Sequence, residues 1–113
     1  MSDSDDQDIA EWRRKIDALD VKLIHILSKR AHCAIEIGKI KRRQGLPIYD
    51  PKREEEIVRV MLKLNRGPLD AQGVRRLFER IIDESRRIER VTAEGEEREL
   101  RNGSNPDKRF AID

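Results

Sequence analysis

The sequence predicts an all-α fold with three helices per chain, long, short and medium, in an intertwined homodimer. Charged residues make up 42% of the 113 residues and aromatic residues only 4%, which is typical of helices with solvated outer faces. Apolar residues recur at helical spacing in three segments, and none alternates as a strand does. The first segment is also too long for a monomer of this size.

The long segment runs from Ile9 to Gln44, with no proline and a single glycine, Gly38. Its apolar residues alternate steps of three and four, as in the seam of a coiled coil. This seam comprises Ile9, Trp12, Ile16, Leu19, Leu23, Ile26, Cys33, Ile37 and Ile40. The step after Ile26 falls on Arg30, and a guanidinium in an apolar stripe costs free energy unless an anion meets it.

The length of this helix predicts the dimer. About 35 residues at 1.5 Å each make a rod of about 50 Å, whereas a globule of about 90 residues is only about 30 Å across. The exposed part of the seam therefore needs a partner, most simply a second copy of the chain. The alternative is a monomer whose first helix frays or bends, for example at Gly38.

Turn and cap residues divide the rest of the chain. Gly45 and Pro47 end the first helix, Asp50 before Pro51 begins the second, and Asp70 caps the third. We expect a disordered N-terminus over residues 1–8, a helical domain over 9–91 and a charged, flexible tail over 92–113, although the third helix could continue a few turns into it.

Composition excludes several classes of function. Twenty-five basic and 23 acidic residues give a net charge of only +2, which argues against a nucleic-acid binder working through the basic turn from Lys39 to Arg43. One cysteine, Cys33, allows no internal disulfide, and two histidines make a metal site improbable. No apolar run reaches membrane length. We expect a soluble, cytoplasmic protein without a metal or cofactor.

Polar residues lie on faces that should be apolar. Ser85 and Glu89 fall on the stripe of the third helix, one turn apart. Lys41 follows Arg30 by eleven residues, so both leave nearly the same face about 16 Å apart, with room for a small anion between them. Arg13 lies about 25 Å before Arg30 and could reach that anion only from a partner chain. Taken singly, each residue could be structural or solvated.

From Trp12 to Glu89 the chain resembles the all-helical class of chorismate mutases. The resemblance is carried, in order, by RRKIDALD (13–20), KRA (29–31), IGKIK (37–41), PIYDPKRE (47–54) and LFERIIDES (77–85). It implies three helices per chain, antiparallel long helices in the dimer and two sites, each shared between chains. It also implies chorismate as substrate, prephenate as product, no cofactor, and a place in aromatic amino-acid biosynthesis, where another shikimate-pathway enzyme could be a partner.

The resemblance also implies roles for these residues. Arg30, with Arg13 of the partner chain, would hold the two carboxylates of chorismate, and Ser85 would assist with one of them. Lys41 and Glu89 would donate hydrogen bonds to the ether oxygen from opposite sides.

The first turn of the second helix completes the implied site. Glu54 would accept a hydrogen bond from the ring hydroxyl of the substrate, near Asp50, and Arg53 would complete the wall. Taken without the resemblance, Arg53 and Glu54 are an ordinary solvated pair.

Glu89 stands where many members of this family carry glutamine and others glutamate. An ionised carboxylate cannot donate a hydrogen bond, so we expect Glu89 to act protonated, its pKa raised by burial. Two other functions remain open. One is an isochorismate-pyruvate lyase of the same fold, against which the Arg53-Glu54 pair argues. The other is a non-catalytic helical dimerisation or regulatory module, which would fill the seam positions with apolar residues. The presence of Arg30, Lys41, Glu54 and Ser85 together argues against it.

Overall fold

A computed structural model describes residues 3–102, without the side chains at positions 97 and 100. These residues form three helices and no strand: α1 (Asp3–Gln44), α2 (Pro51–Leu64) and α3 (Ala71–Arg101). Their lengths are 42, 14 and 31 residues. The all-α class and the order long, short, medium are confirmed, while the homodimer stays a prediction.

The chain divides into two compact units, Met1–His32 and Cys33–Asp113. The described part of the first unit is a stretch of α1 that buries none of its side chains. Its seam is open: Trp12 is 63%, Leu19 62% and Ile26 60% exposed. Helices in proteins draw most of their stability from packing an apolar face, so a helix without such packing is only marginally stable in water.

The second unit has a core to which all three helices contribute. Ala34 and Ile35 come from α1, Val58 from α2, and Val74 and Ile82 from α3. The predicted seam positions in this unit stay outside the core, since Cys33, Ile37 and Ile40 are exposed. The face of α1 that packs within the unit is therefore not the face that carries the seam.

Local chemistry ends α1 and begins α2 as predicted. Gly45, at φ 70°, closes α1, where its N–H donates to the Arg42 carbonyl at 3.2 Å and the Leu46 N–H donates to the Lys41 carbonyl at 2.8 Å. This pair of bonds is the Schellman motif. The side chain of Asp50 accepts the Arg53 N–H at 3.2 Å and caps α2.

Asp70 does the same for α3. Its Oδ1 accepts the Gly73 N–H at 2.6 Å, and its carbonyl accepts the Val74 N–H at 3.0 Å. These bonds satisfy donors that the first turn of a helix otherwise leaves unpaired. The cap predicted from sequence is confirmed.

Two helices are longer than expected. The predicted disordered segment, residues 1–8, is helical from Asp3, where three acidic residues in the first turn suit the positive end of the helix dipole. Helix α3 continues past Val91 to Arg101, with Thr92 and Gly95 buried. The tail predicted over 92–113 is therefore helical in its first part, and the remainder from 103 lies outside the described residues. No helix in the described part of the chain combines the length and apolarity needed to span a bilayer.

Candidate functional site

Lys41 is held at the C-terminal end of α1 by the loop that follows. Its carbonyl is one of the two bonded in the Schellman motif. Its Nζ donates to the Ile48 carbonyl at 3.0 Å, and only 19% of its side chain is exposed. The backbone carbonyl and the side-chain ammonium of Lys41 are thus both hydrogen-bonded to the loop between α1 and α2. These two bonds fix the position of the ammonium group.

Glu89 of α3 faces this ammonium. Its Oε2 lies 3.9 Å from Nζ of Lys41, and 9% of its side chain is exposed. The approach depends on Gly38, because a Cβ there would lie 3.1 Å from both Cβ and Cγ of Glu89. A lysine and a carboxyl group so placed can act together on one atom of a ligand.

An ion-pair cluster flanks Lys41 in the same turn of α1. Nη1 of Arg42 lies 2.7 Å from Oε2 of Glu96, and Nζ of Lys39 lies 3.7 Å from its Oε1. The side chain of Glu96 is 12% exposed and belongs to the part of α3 that sequence analysis assigned to a tail. This largely buried carboxylate joins the last turns of α1 and α3 and so supports the turn that carries Lys41.

Ser85 lies one turn before Glu89 and is half-buried. Its Oγ donates to the Ile81 carbonyl at 2.9 Å, the bond of a serine to its own helix. Binding a substrate carboxylate through a donated hydrogen bond requires this hydroxyl to rotate away from Ile81.

The first turn of α2 points its side chains in different directions. Arg53 is 61% exposed and pairs with Glu56 of its own helix at 3.0 Å. Glu54 is 21% exposed, and its Oε2 lies 3.0 Å from Nε of Arg86 on α3. Asp50 is an exposed cap residue. Of the three residues predicted here, only Glu54 turns inward between the helices.

A cavity of about 320 Å³ opens beside this pair, between α2 and α3. Its lining includes Tyr49, Glu54, Val58, Ile82 and Arg86. Sequence analysis missed Arg86, although a signal was available. It stands four residues after Ile82, where the apolar stripe of α3 should continue.

Arg13 and Arg30 belong to the first unit. Arg13 is exposed and Arg30 is half-buried. The second unit brings Lys41 together with Glu89 and places Ser85 on the same helix. That the two arginines join this cluster stays a prediction.

Comparison with known proteins identifies relatives of most of the helical region. A model of the chorismate mutase type II family matches residues 12–90. The bifunctional chorismate mutase/prephenate dehydratase of Pseudomonas aeruginosa is 34% identical over 84 residues, which are 70% of this chain and 23% of that protein. The protein of the same name from Escherichia coli K12 is 39% identical over 74 residues, 65% of this chain and 19% of its own length. The chain thus spans less than a quarter of these curated relatives.

A solved structure matches over most of its own length. Chorismate mutase (form II) from Thermus thermophilus superposes with a TM-score of 0.71 at 35% identity, covering 73% of this chain and 93% of that one. The three-helix arrangement is therefore shared with a chain that is itself little more than this domain.

Proposed function

Because the chain belongs to the chorismate mutase type II family, we propose that it catalyses the Claisen rearrangement of chorismate to prephenate. The observation that carries this proposal is the largely buried pair formed by Lys41 and Glu89, 3.9 Å apart at the contact of α1 and α3. Chorismate carries two carboxylates, a ring hydroxyl and an ether oxygen, and this pair is the place for the ether oxygen.

The protein forms no covalent bond with the substrate in this reaction. One C–O bond breaks as one C–C bond forms within the substrate, without a nucleophile, a proton transfer or a cofactor. The chain therefore acts by holding the reactive conformer and stabilising the negative charge that grows on the ether oxygen. Lys41 supplies the positive charge for this, and its tether to Ile48 means that little reorganisation is needed in the transition state.

Substrate binding has to part the Lys41–Glu89 pair slightly. An oxygen that accepts hydrogen bonds of about 2.8 Å from two groups holds them about 4.5–5 Å apart. The pair is closer than this, at 3.9 Å. Entry of the ether oxygen thus replaces a direct contact of lysine and carboxyl by two contacts with the substrate.

Glu89 donates in this scheme only when it is protonated. Burial and the two carboxylates of chorismate favour the neutral carboxyl, whereas the ammonium of Lys41 favours the carboxylate. We infer that the neutral form works, because an ionised carboxylate would oppose charge developing on the ether oxygen.

The site is completed by a second copy of the chain. The first unit exposes its seam, and Val21 and Ile24 form a further exposed apolar pair off the seam. An antiparallel partner covers these faces and brings its own Arg13 to the site, where it and Arg30 hold the substrate carboxylates by bidentate hydrogen bonds. Ser85 assists one carboxylate, and Glu54, beside Asp50 and Arg53, accepts the ring hydroxyl.

The curated relatives suggest what consumes the product. Two of them join a chorismate mutase to a prephenate dehydratase in one protein. We infer that prephenate made here passes to an enzyme of that kind, either in the same polypeptide or as a separate partner in aromatic amino-acid biosynthesis.

The direct test is turnover of chorismate by the purified protein, with the product identified chromatographically. Prephenate should form, and Lys41→Ala should lower kcat/KM by about a hundredfold or more, the usual cost of removing one donor to a developing oxyanion. Lys63→Ala, at an exposed lysine near the end of α2, is the matched control and should change nothing. Release of pyruvate from isochorismate without chorismate turnover would assign the lyase instead, and no turnover of either would leave the dimerisation module.

A further inference from the structure

Arg86 connects three segments around the α2–α3 cavity. It stands on α3 directly after Ser85, and its Nε lies 3.0 Å from Oε2 of Glu54 on α2. Its guanidinium carbon lies 5.1 Å from the centroid of the Tyr49 ring, in the loop before α2. It also pairs with Asp83 of its own helix. One side chain thus touches the loop, α2 and α3 at one wall of the cavity.

This contact differs from the surface pairs of the same helix. Arg80 and Glu84 form a pair at 2.8 Å with side chains 76% and 49% exposed, one turn apart on α3. Arg86 and Glu54 are 32% and 21% exposed and come from different helices. Exposed pairs within a helix contribute little to stability. Removing one partner of a less exposed pair between two helices costs more, because it leaves the other charge uncompensated.

Arg53 does not provide this contact. It was expected to complete the wall beside Glu54, but its guanidinium lies 3.0 Å from Glu56 on the outer side of α2. Among the described residues, the guanidinium that pairs with Glu54 is that of Arg86.

We propose that Arg86 is a positioning residue that orients the Glu54 carboxylate toward the ring hydroxyl of the substrate. This inference rests on the proposed function. The ion pair at Oε2 keeps this carboxylate at the cavity wall and leaves Oε1 as the acceptor for the hydroxyl. Stacking over Tyr49 keeps the guanidinium plane from rotating. Arg86 does not itself touch the substrate and acts on the reaction through Glu54.

A double-mutant cycle on kcat/KM tests this assignment. Arg86→Ala should lower kcat/KM for chorismate by about tenfold, and Arg86→Lys should recover part of the loss. In a Glu54→Ala background, Arg86→Ala should have no further effect, since its target is gone. Arg80→Ala is the matched control on the same helix and should match the wild type. Thermal unfolding of every variant separates folding from positioning.

A substrate analogue supplies a readout that a purely structural role would not move. With an analogue of chorismate that lacks the ring hydroxyl, Arg86→Ala and wild type should have the same kcat/KM. Glu54 then has no hydroxyl from which to accept a hydrogen bond, so its orientation no longer matters. Independent, multiplying effects of Arg86→Ala and Glu54→Ala overturn the inference, as does an equal loss with the analogue. If the wild type itself fails to turn over chorismate, the proposed function falls and the inference with it. Wild-type turnover with an unaffected Arg86→Ala overturns only the inference.

Discussion

The two ends of α1 differ in what holds them. Residues 3–32 bury no side chain and display apolar residues such as Trp12, Leu19 and Ile26. From Cys33 onward the same helix buries Ala34, Ile35 and Gly38 in a unit with α2 and α3. One end has a core within its own chain, and the other presents the surface from which a core could be built.

This difference assigns different tasks to the two regions. Within the second unit, the Gly45 cap, the Lys41–Ile48 bond and the Arg42–Glu96 pair hold Lys41 in position. The described residues of the first unit are not buried within this chain, and we propose that their apolar seam packs against a partner. We expect substitutions in the first unit to act by weakening contacts with the partner chain. Substitutions in the second unit should act by changing the local geometry around Lys41 and Glu89.

The largest effect is expected from a charge in the seam. Leu19→Lys places an ammonium where the partner helix should pack, so the dimer should dissociate and activity should fall by at least about a hundredfold as the partner's Arg13 is lost. Sedimentation and chorismate turnover measure the two outcomes. Ala18→Lys adds the same charge at the neighbouring exposed position off the seam and should remain dimeric and active. A fully active Leu19→Lys monomer would refute the shared site.

Mixing two inactive variants tests the shared site directly. Arg13→Ala and Lys41→Ala homodimers each lack a group at both sites. After subunits exchange at equal concentrations, half of the dimers are mixed, and each mixed dimer has one intact site. Activity should therefore rise from near zero to about one quarter of the wild-type value. No recovery, with exchange verified by mass-tagged subunits, would place Arg13 and Lys41 of one chain in the same site or Arg13 in none.

The pH dependence of wild type and of Glu89 variants tests whether Glu89 has to be protonated for the reaction. Wild-type kcat/KM should fall as pH rises through the pKa of Glu89, by about tenfold per pH unit above it, because only the protonated form donates. Glu89→Gln carries a permanent donor and should flatten the alkaline side of the profile. Glu89→Ala, with no donor, is the control and should be slow at every pH. A flat wild-type profile from mildly acid to alkaline pH would contradict this role of Glu89.

The features that the sequence predicts correctly are those with a local cause. Asp50, Asp70 and Gly45 were identified from cap and turn chemistry that involves residues within a few positions of each other. The seam was recognised from spacing alone. Helical periodicity or motif order also singles out Lys41, Ser85 and Glu89, and the structure brings Lys41 within 3.9 Å of Glu89. Their roles stay a prediction.

What sequence analysis missed depends on contacts between distant residues. The extension of α3 to Arg101 is stabilised by Glu96, whose partner Arg42 is 54 residues away, so a charged stretch appeared to be a tail. Gly38 was considered as a point of bending, yet α1 is helical through it and the glycine permits the approach of Glu89. The inward turn of Arg86 has the same kind of cause, a carboxylate on another helix.

The substitution Gly38→Ala tests how closely α1 and α3 must pack beside Glu89. In Gly38→Ala the new Cβ would lie 3.1 Å from Cβ and Cγ of Glu89, so the helices or the Glu89 side chain must shift. We expect a loss of about 1–3 kcal/mol in unfolding free energy and a several-fold lower kcat. Gly67→Ala is the control, because a Cβ at Gly67 meets nothing within 4 Å. Equal stability of the two variants in urea would show that the contact is not close in solution.

The smallest effect is expected at the end of α1. Gly45 has φ 70°, a conformation that costs other residues about 1–2 kcal/mol, so Gly45→Ala should lower the unfolding free energy by about that amount. Asparagine tolerates this region better, and Gly45→Asn should lose less. Because the same turn fixes Lys41, Gly45→Ala should also lower kcat slightly with little change in dimer affinity. A variant that weakened the dimer while leaving kcat intact would contradict the division of tasks between the two regions.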